Sequence, residues 1–109
     1  MAVVDLTIFS LPFKCVKLSE ADFSDFAAIY VILCVDNSGS WKVIDVGQSG
    51  QVGSRIDTHD RQECWEKNCP NKNIWVCIYK TPSTLYTKEQ RIDLEGKIRD
   101  YYKPVCGVK

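Results

Sequence analysis

The chain has 109 residues, 45% of them apolar, which is the length and share of one globular core and excludes two. Its longest unbroken apolar run, 26–35, is ten residues against the roughly 20 that a membrane-spanning helix needs, so the sequence predicts no membrane partner. Fourteen basic and fourteen acidic side chains cancel, with 1–58 acidic by three and 59–109 basic by three, so a polyanion can be held only by a few placed groups and not by a general basic field.

One domain, 1–109, is predicted, with 1–26 as an N-terminal extension packed on it. In that extension Val4, Leu6, Ile8 and Leu11 alternate weakly before Pro12 breaks the pattern, and 18–23 read as a short helical turn with Ser19 at its cap and Asp22 three residues on. The β-branched and aromatic run Ala28–Val35 reads as a central, buried strand. Asp36-Asn37-Ser38-Gly39-Ser40 is a turn cluster, and about Trp41 to Val46 supplies the antiparallel partner.

Gly47-Gln48-Ser49-Gly50 ends that strand and opens a helix with Val52, Ile56 and His59 on one face; Arg55 and His59, four apart, are neighbours on its surface. A second short helix is expected around Arg61 to Asn68, anchored by Trp65 and stopped at Pro70-Asn71. Asn73 to Lys80 reads as a third strand, and Leu85 to Lys103 as a long helix stopped at Pro104. Leu94, Ile98, Tyr101 and Tyr102 form its apolar stripe, with Glu95 at the margin, where a carboxylate is only partly solvated. The expectation is an α/β (α+β) domain, a small three-stranded antiparallel sheet flanked by helices.

Six cysteines follow no basic, apolar leader, which predicts a cytoplasmic chain with free thiols, Cys34 and Cys77 acting as small buried hydrophobes. The spacing His59-x4-Cys64-x4-Cys69 suggests zinc, although structural zinc pairs are usually spaced more tightly.

Ala28-Ile29-Tyr30, then Val43-Ile44-Asp45-Val46-Gly47-Gln48-Ser49, then Arg55-x3-His59, then Leu94-Glu95 on a late helix, together resemble the GIY-YIG nuclease superfamily over about 27–107. The resemblance implies a GIY-YIG-like fold and a metal-dependent endonuclease that hydrolyses nucleic-acid phosphodiester bonds, DNA rather than RNA, with Mg²⁺ or Mn²⁺ as cofactor. It matches Tyr30 to the first-motif tyrosine, Arg55 to the helix arginine, His59 to the histidine four residues later, and Glu95 to the metal ligand. Asp45 stands where the family places a second tyrosine, and Gly107 near its C-terminal asparagine. A carboxylate at 45 either takes over the tyrosine's chemistry or marks a catalytically degenerate nucleic-acid-binding or interaction module. Specificity in so small a domain would come from its own surface, a homodimer or a partner protein.

Overall fold

The computed structural model describes residues 3–57 and 60–107. Among them, β1 (Val4–Ile8), β2 (Leu11–Lys17), β3 (Ala28–Val35), β4 (Trp41–Ser49) and β5 (Ile74–Lys80) form one antiparallel sheet in the order β1-β2-β5-β3-β4. The helices are α1 (Val52–Asp57), α2 (Gln62–Lys67) and α3 (Lys88–Tyr102). The α+β class and the three expected strands are present, but the sheet has five strands because 4–17 fold as a hairpin that extends it. Phe9 and Ser10 make its two-residue turn with φ of 54° and 62°, a primed turn without the Asn or Gly that normally signals one. The expected helix at 18–23 is a single 3-10 turn, Leu18–Glu20, and Lys17, not Ser19, stands at its N-cap.

β3 lies between β5 and β4, and its first six residues are buried. Alternation then divides the core. Ala28, Tyr30 and Ile32 face Val52 and Ile56 of α1 and Trp65 of α2. Ile29, Val31 and Leu33 face Ile98 of α3 together with Ile8 and Phe13 of the hairpin. Each such aliphatic side chain contributes about 1.5–3 kcal/mol by leaving water. Of the stripe expected on α3, Ile98 is fully buried and Leu94 and Tyr102 half-buried, whereas Tyr101 is 70% exposed and packs edge-on against Phe9.

The expectation of free thiols is overturned. Cys15 pairs with Cys77 across β2 and β5, Cys34 with Cys69, and Cys64 with Cys106. The partners are 35 to 62 positions apart and are brought together by sheet order, so spacing along the chain could not announce them. The zinc reading loses Cys64 and Cys69 to these bonds.

Candidate active site

Tyr30, in the middle of β3, lies directly opposite Gly47 of β4. The Tyr30 ring crosses the space that a Cβ at position 47 would fill, so glycine is required there for the phenol to lie across the sheet. Between Ile32 and Leu33 the register slips by one, leaving Ile44 as an extra residue in β4. Such a bulge re-aims neighbouring side chains. Here Asp45 points to the same face as Tyr30 and reaches Trp65 and Arg61.

Asp45 is fully buried. Its Oδ1 accepts from the Val46 amide at 2.8 Å and from Arg99 Nη2 at 2.9 Å. Its Oδ2 accepts from Arg61 Nε and from Trp65 Nε1, both at 2.7 Å. A carboxylate has about four lone-pair directions, and four donors engage them. This geometry is that of an anchor for two guanidinium groups; it offers neither a proton-accepting lone pair nor a metal-directed one.

Arg99 reaches Asp45 around the edge of β4. Its Nη2 also donates to the Val46 carbonyl, its Nη1 donates to the Cys106 carbonyl at 2.9 Å, and its Nε lies 3.7 Å from Glu95 Oε2. The outer edge of β4 is thereby covered, with the Cys106 amide donating to the Ile44 carbonyl at 3.0 Å. Gly107 has φ of 74°, and a Cβ there would press on Arg61 and Arg99, so an asparagine at this position would displace both.

Arg61 Nη2 stands 3.4 Å from the Tyr30 hydroxyl. Burial opposes the charge on Arg61, but the hydrogen bond and charge of Asp45 outweigh it and hold the guanidinium above its ordinary pKa. Burial pushes the Tyr30 phenol up to about 12; the charges of Arg61 and Arg55 act against this, those of Asp45 and Glu95 with it. A contact chain thus runs Tyr30, Arg61, Asp45, Arg99, Glu95, and Arg55 adds its charge from α1. Asp25 fixes the start of α1, accepting from the Ser54 amide at 2.7 Å and hydroxyl at 2.8 Å, and Arg55 Nη2 lies 3.1 Å from Asp60.

Tyr30, Asp45 and Glu95 are thus linked through Arg61 and Arg99, although Tyr30 and Glu95 are 65 positions apart, while Arg55 pairs with Asp60 and acts on Tyr30 through its charge. His59 lies outside the described residues. Arg61, Arg99 and the indole of Trp65 as a donor escaped the sequence reading. Arg99 had one signal, its place one helical turn after Glu95, and Arg61 had its place two residues after His59.

Glu95 is half-buried, and among the described residues no three His, Cys, Asp or Glu side chains are grouped to hold a metal. One carboxylate fits a hard ion such as Mg²⁺, which keeps several waters and is commonly bound through one or two carboxylates plus substrate phosphate. No family model, curated protein or solved structure matches the chain.

Proposed function

We propose that the chain is a metal-dependent endonuclease of the GIY-YIG kind acting on nucleic-acid phosphodiester bonds. The observation that carries this reading is that Arg55 and Glu95, from two separate helices, both act by their charge on the buried Tyr30 phenol, Glu95 at the end of the ion-pair chain that runs through Arg99, Asp45 and Arg61. Arg55 offers a planar fork to the phosphoryl oxygens, where negative charge grows in the transition state. The Tyr30 phenol remains protonated at neutral pH and so serves as a hydrogen-bond donor toward water or phosphate; it would act as a base only where neighbouring cations lower its pKa enough for solvent water to take its proton first. Glu95 would hold Mg²⁺ or Mn²⁺, which when bound polarises the phosphate and stabilises developing charge. His59 keeps the catalytic place that the resemblance gives it.

The test is incubation with supercoiled DNA, single-stranded DNA and RNA, with Mg²⁺, with Mn²⁺ and with chelator. Cleavage that requires metal is expected. A second reading, a nucleic-acid-binding module without catalysis, is favoured by Asp45, whose four hydrogen bonds leave it no part in proton transfer. Binding in chelator with no cleavage in either metal would select it.

Three disulfides are the pattern of oxidising compartments and run against the cytoplasmic expectation, which is drawn from the lack of a basic, apolar leader. The proposed place of action is one where disulfides persist.

A further inference from the structure

The three disulfides differ in what a reductant meets. Cys15 and Cys77 are both fully buried, so their bond is closed to solvent. In each of the other two bonds one partner is fully buried, Cys69 or Cys106, and the other half-buried, Cys34 or Cys64. An asparagine then sets these two apart. Asn71 turns its carbonyl oxygen to the sulfurs, Oδ1 lying 3.2 Å from Cys69 Sγ and 3.6 Å from Cys34 Sγ; the amide is fixed that way round because Nδ2 donates to the Val35 carbonyl and Oδ1 accepts from the Asn73 amide. Asn68 turns its nitrogen instead. Its Nδ2 donates to the Cys64 carbonyl at 2.9 Å and stands 3.5 Å from Cys64 Sγ and 3.8 Å from Cys106 Sγ. Cys64 also lines an open cavity of about 310 Å³ with Asp60, Arg61, Glu63 and Lys67.

We propose that Cys64–Cys106 is a redox site, opened by an external dithiol ahead of the other two bonds, and that its opening loosens the hold on Arg99 and Glu95; the effect on cleavage rests on the nuclease reading. A disulfide opens faster the better the leaving thiolate is stabilised. An N–H donor beside the sulfurs does this, and a carbonyl oxygen opposes it. One thiolate of the dithiol attacks Cys64 Sγ from the cavity, the bond between the two cysteine sulfurs breaks, and Cys106 leaves with the electron pair. The second thiol of the reductant gives its proton to solvent and attacks the mixed disulfide, which releases Cys64 as a thiolate and closes the reductant's own disulfide. Two electrons have passed to the chain, and both cysteines take protons from solvent. Cys106 is then held to β4 by hydrogen bonds alone, its amide on the Ile44 carbonyl at 3.0 Å and its carbonyl on Arg99 Nη1 at 2.9 Å. Arg99 joins Asp45 to Glu95, the proposed metal ligand, so a loosened C-terminal segment leaves that carboxylate less firmly oriented.

The experiment exposes the folded, oxidised chain to excess dithiothreitol, alkylates samples at timed intervals and reads the state of each bond by peptide mass. Cys64–Cys106 should open first, roughly tenfold or more ahead of Cys34–Cys69, with Cys15–Cys77 closed until the chain unfolds. Asn68→Leu and Asn68→Asp remove the donor, and each should slow that opening roughly tenfold while Cys34–Cys69 opens as before. Asn68 also ends α2, so a merely structural role would loosen the segment and speed the opening instead. Thermal unfolding of the oxidised variants gives their folded fraction; if one Asn68 variant does not fold, the other carries that arm. Hydrogen exchange over 103–107 should rise once the bond is open, and cleavage in Mg²⁺ by unalkylated samples of the same stage should fall roughly 10- to 100-fold. The Cys64→Ser/Cys106→Ser pair should cut at that lower rate with or without dithiol. Prior opening of Cys34–Cys69, opening of all three bonds only on unfolding, or unslowed opening in the Asn68 variants overturns the proposal. An opened chain that cuts at the parent's rate also overturns it and leaves the nuclease reading intact. If the oxidised chain cuts nothing, the nuclease reading fails, and the order of opening together with exchange over 103–107 decides this one, unchanged exchange overturning it.

Discussion

Tyr30 belongs at once to the core of the fold and to the proposed chemistry. It is among the most buried side chains of the sheet, yet its hydroxyl sits within the field of two arginines and two carboxylates. Its pKa is raised above that of the unfolded chain, so its contribution to stability is fully present below about pH 10 and is lost as pH rises through about 12. The parent should therefore lose up to about 3 kcal/mol relative to Tyr30→Phe across that window, read as the difference between their unfolding midpoints in brief exposures to alkali. In cleavage Tyr30→Phe should be slower by roughly 10²- to 10⁴-fold with binding nearly unchanged. A rate within twofold of the parent would remove the phenol from the mechanism. Tyr30, Arg55 and Glu95 were singled out in the sequence by the order of the motifs they resemble. Arg61 and Arg99 were not, because their meaning lies in Asp45, whose burial follows from a bulge at Ile44 that no local pattern announces.

At the scale of elements, legibility followed burial on both faces. β3 and β5 are continuous apolar runs and were read within a residue or so, whereas β1 is mostly exposed and its hairpin turn lacks the usual turn residues, so it merged into an extension. α3 starts at Lys88 and not at the expected Leu85 because Thr87 caps it: Oγ1 accepts from the Gln90 amide at 3.0 Å, and Gln90 Oε1 accepts from the Thr87 amide at 2.9 Å. Thr87→Ala should lower stability by about 1 kcal/mol in urea titration with an unchanged slope, and leave the cleavage rate per folded molecule as it is. Gly47→Ala differs in kind. The added methyl meets the Tyr30 ring, so it should cost roughly 1–3 kcal/mol and also slow cleavage, because the ring it displaces is the one beside Arg61. An alanine at 47 tolerated without loss of either would mean that the phenol does not lie across the strand pair.

Across the whole molecule the three disulfides divide into two kinds by what they hold. Their loops span 35, 42 and 62 residues, and in the chain-entropy account each stabilises by about 4 kcal/mol, of the order of a small domain's entire stability. Thiol titration of the denatured, unreduced chain should accordingly find close to none of the six cysteines free, and a count near six would restore the cytoplasmic expectation. Cys15–Cys77 ties β2 to β5 on the face of the sheet opposite Tyr30. Cys64–Cys106 ties α2, which carries Trp65, to the C-terminal segment whose Cys106 carbonyl receives Arg99 and whose Gly107 abuts Arg61 and Arg99. Replacing either pair with alanine should lower the unfolding temperature by a similar amount, since the closed loops differ little on a logarithmic scale. Their effects on cleavage should separate. Cys15→Ala/Cys77→Ala should cut at the parent's rate wherever it is folded, whereas Cys64→Ala/Cys106→Ala should be slow even when fully folded, because the segment that holds Arg99 against Asp45 is no longer fastened to α2. Cleavage rates measured well below each variant's own unfolding temperature decide it. Equal rates for the two double variants would show that the C-terminal strap stabilises the fold without shaping the site.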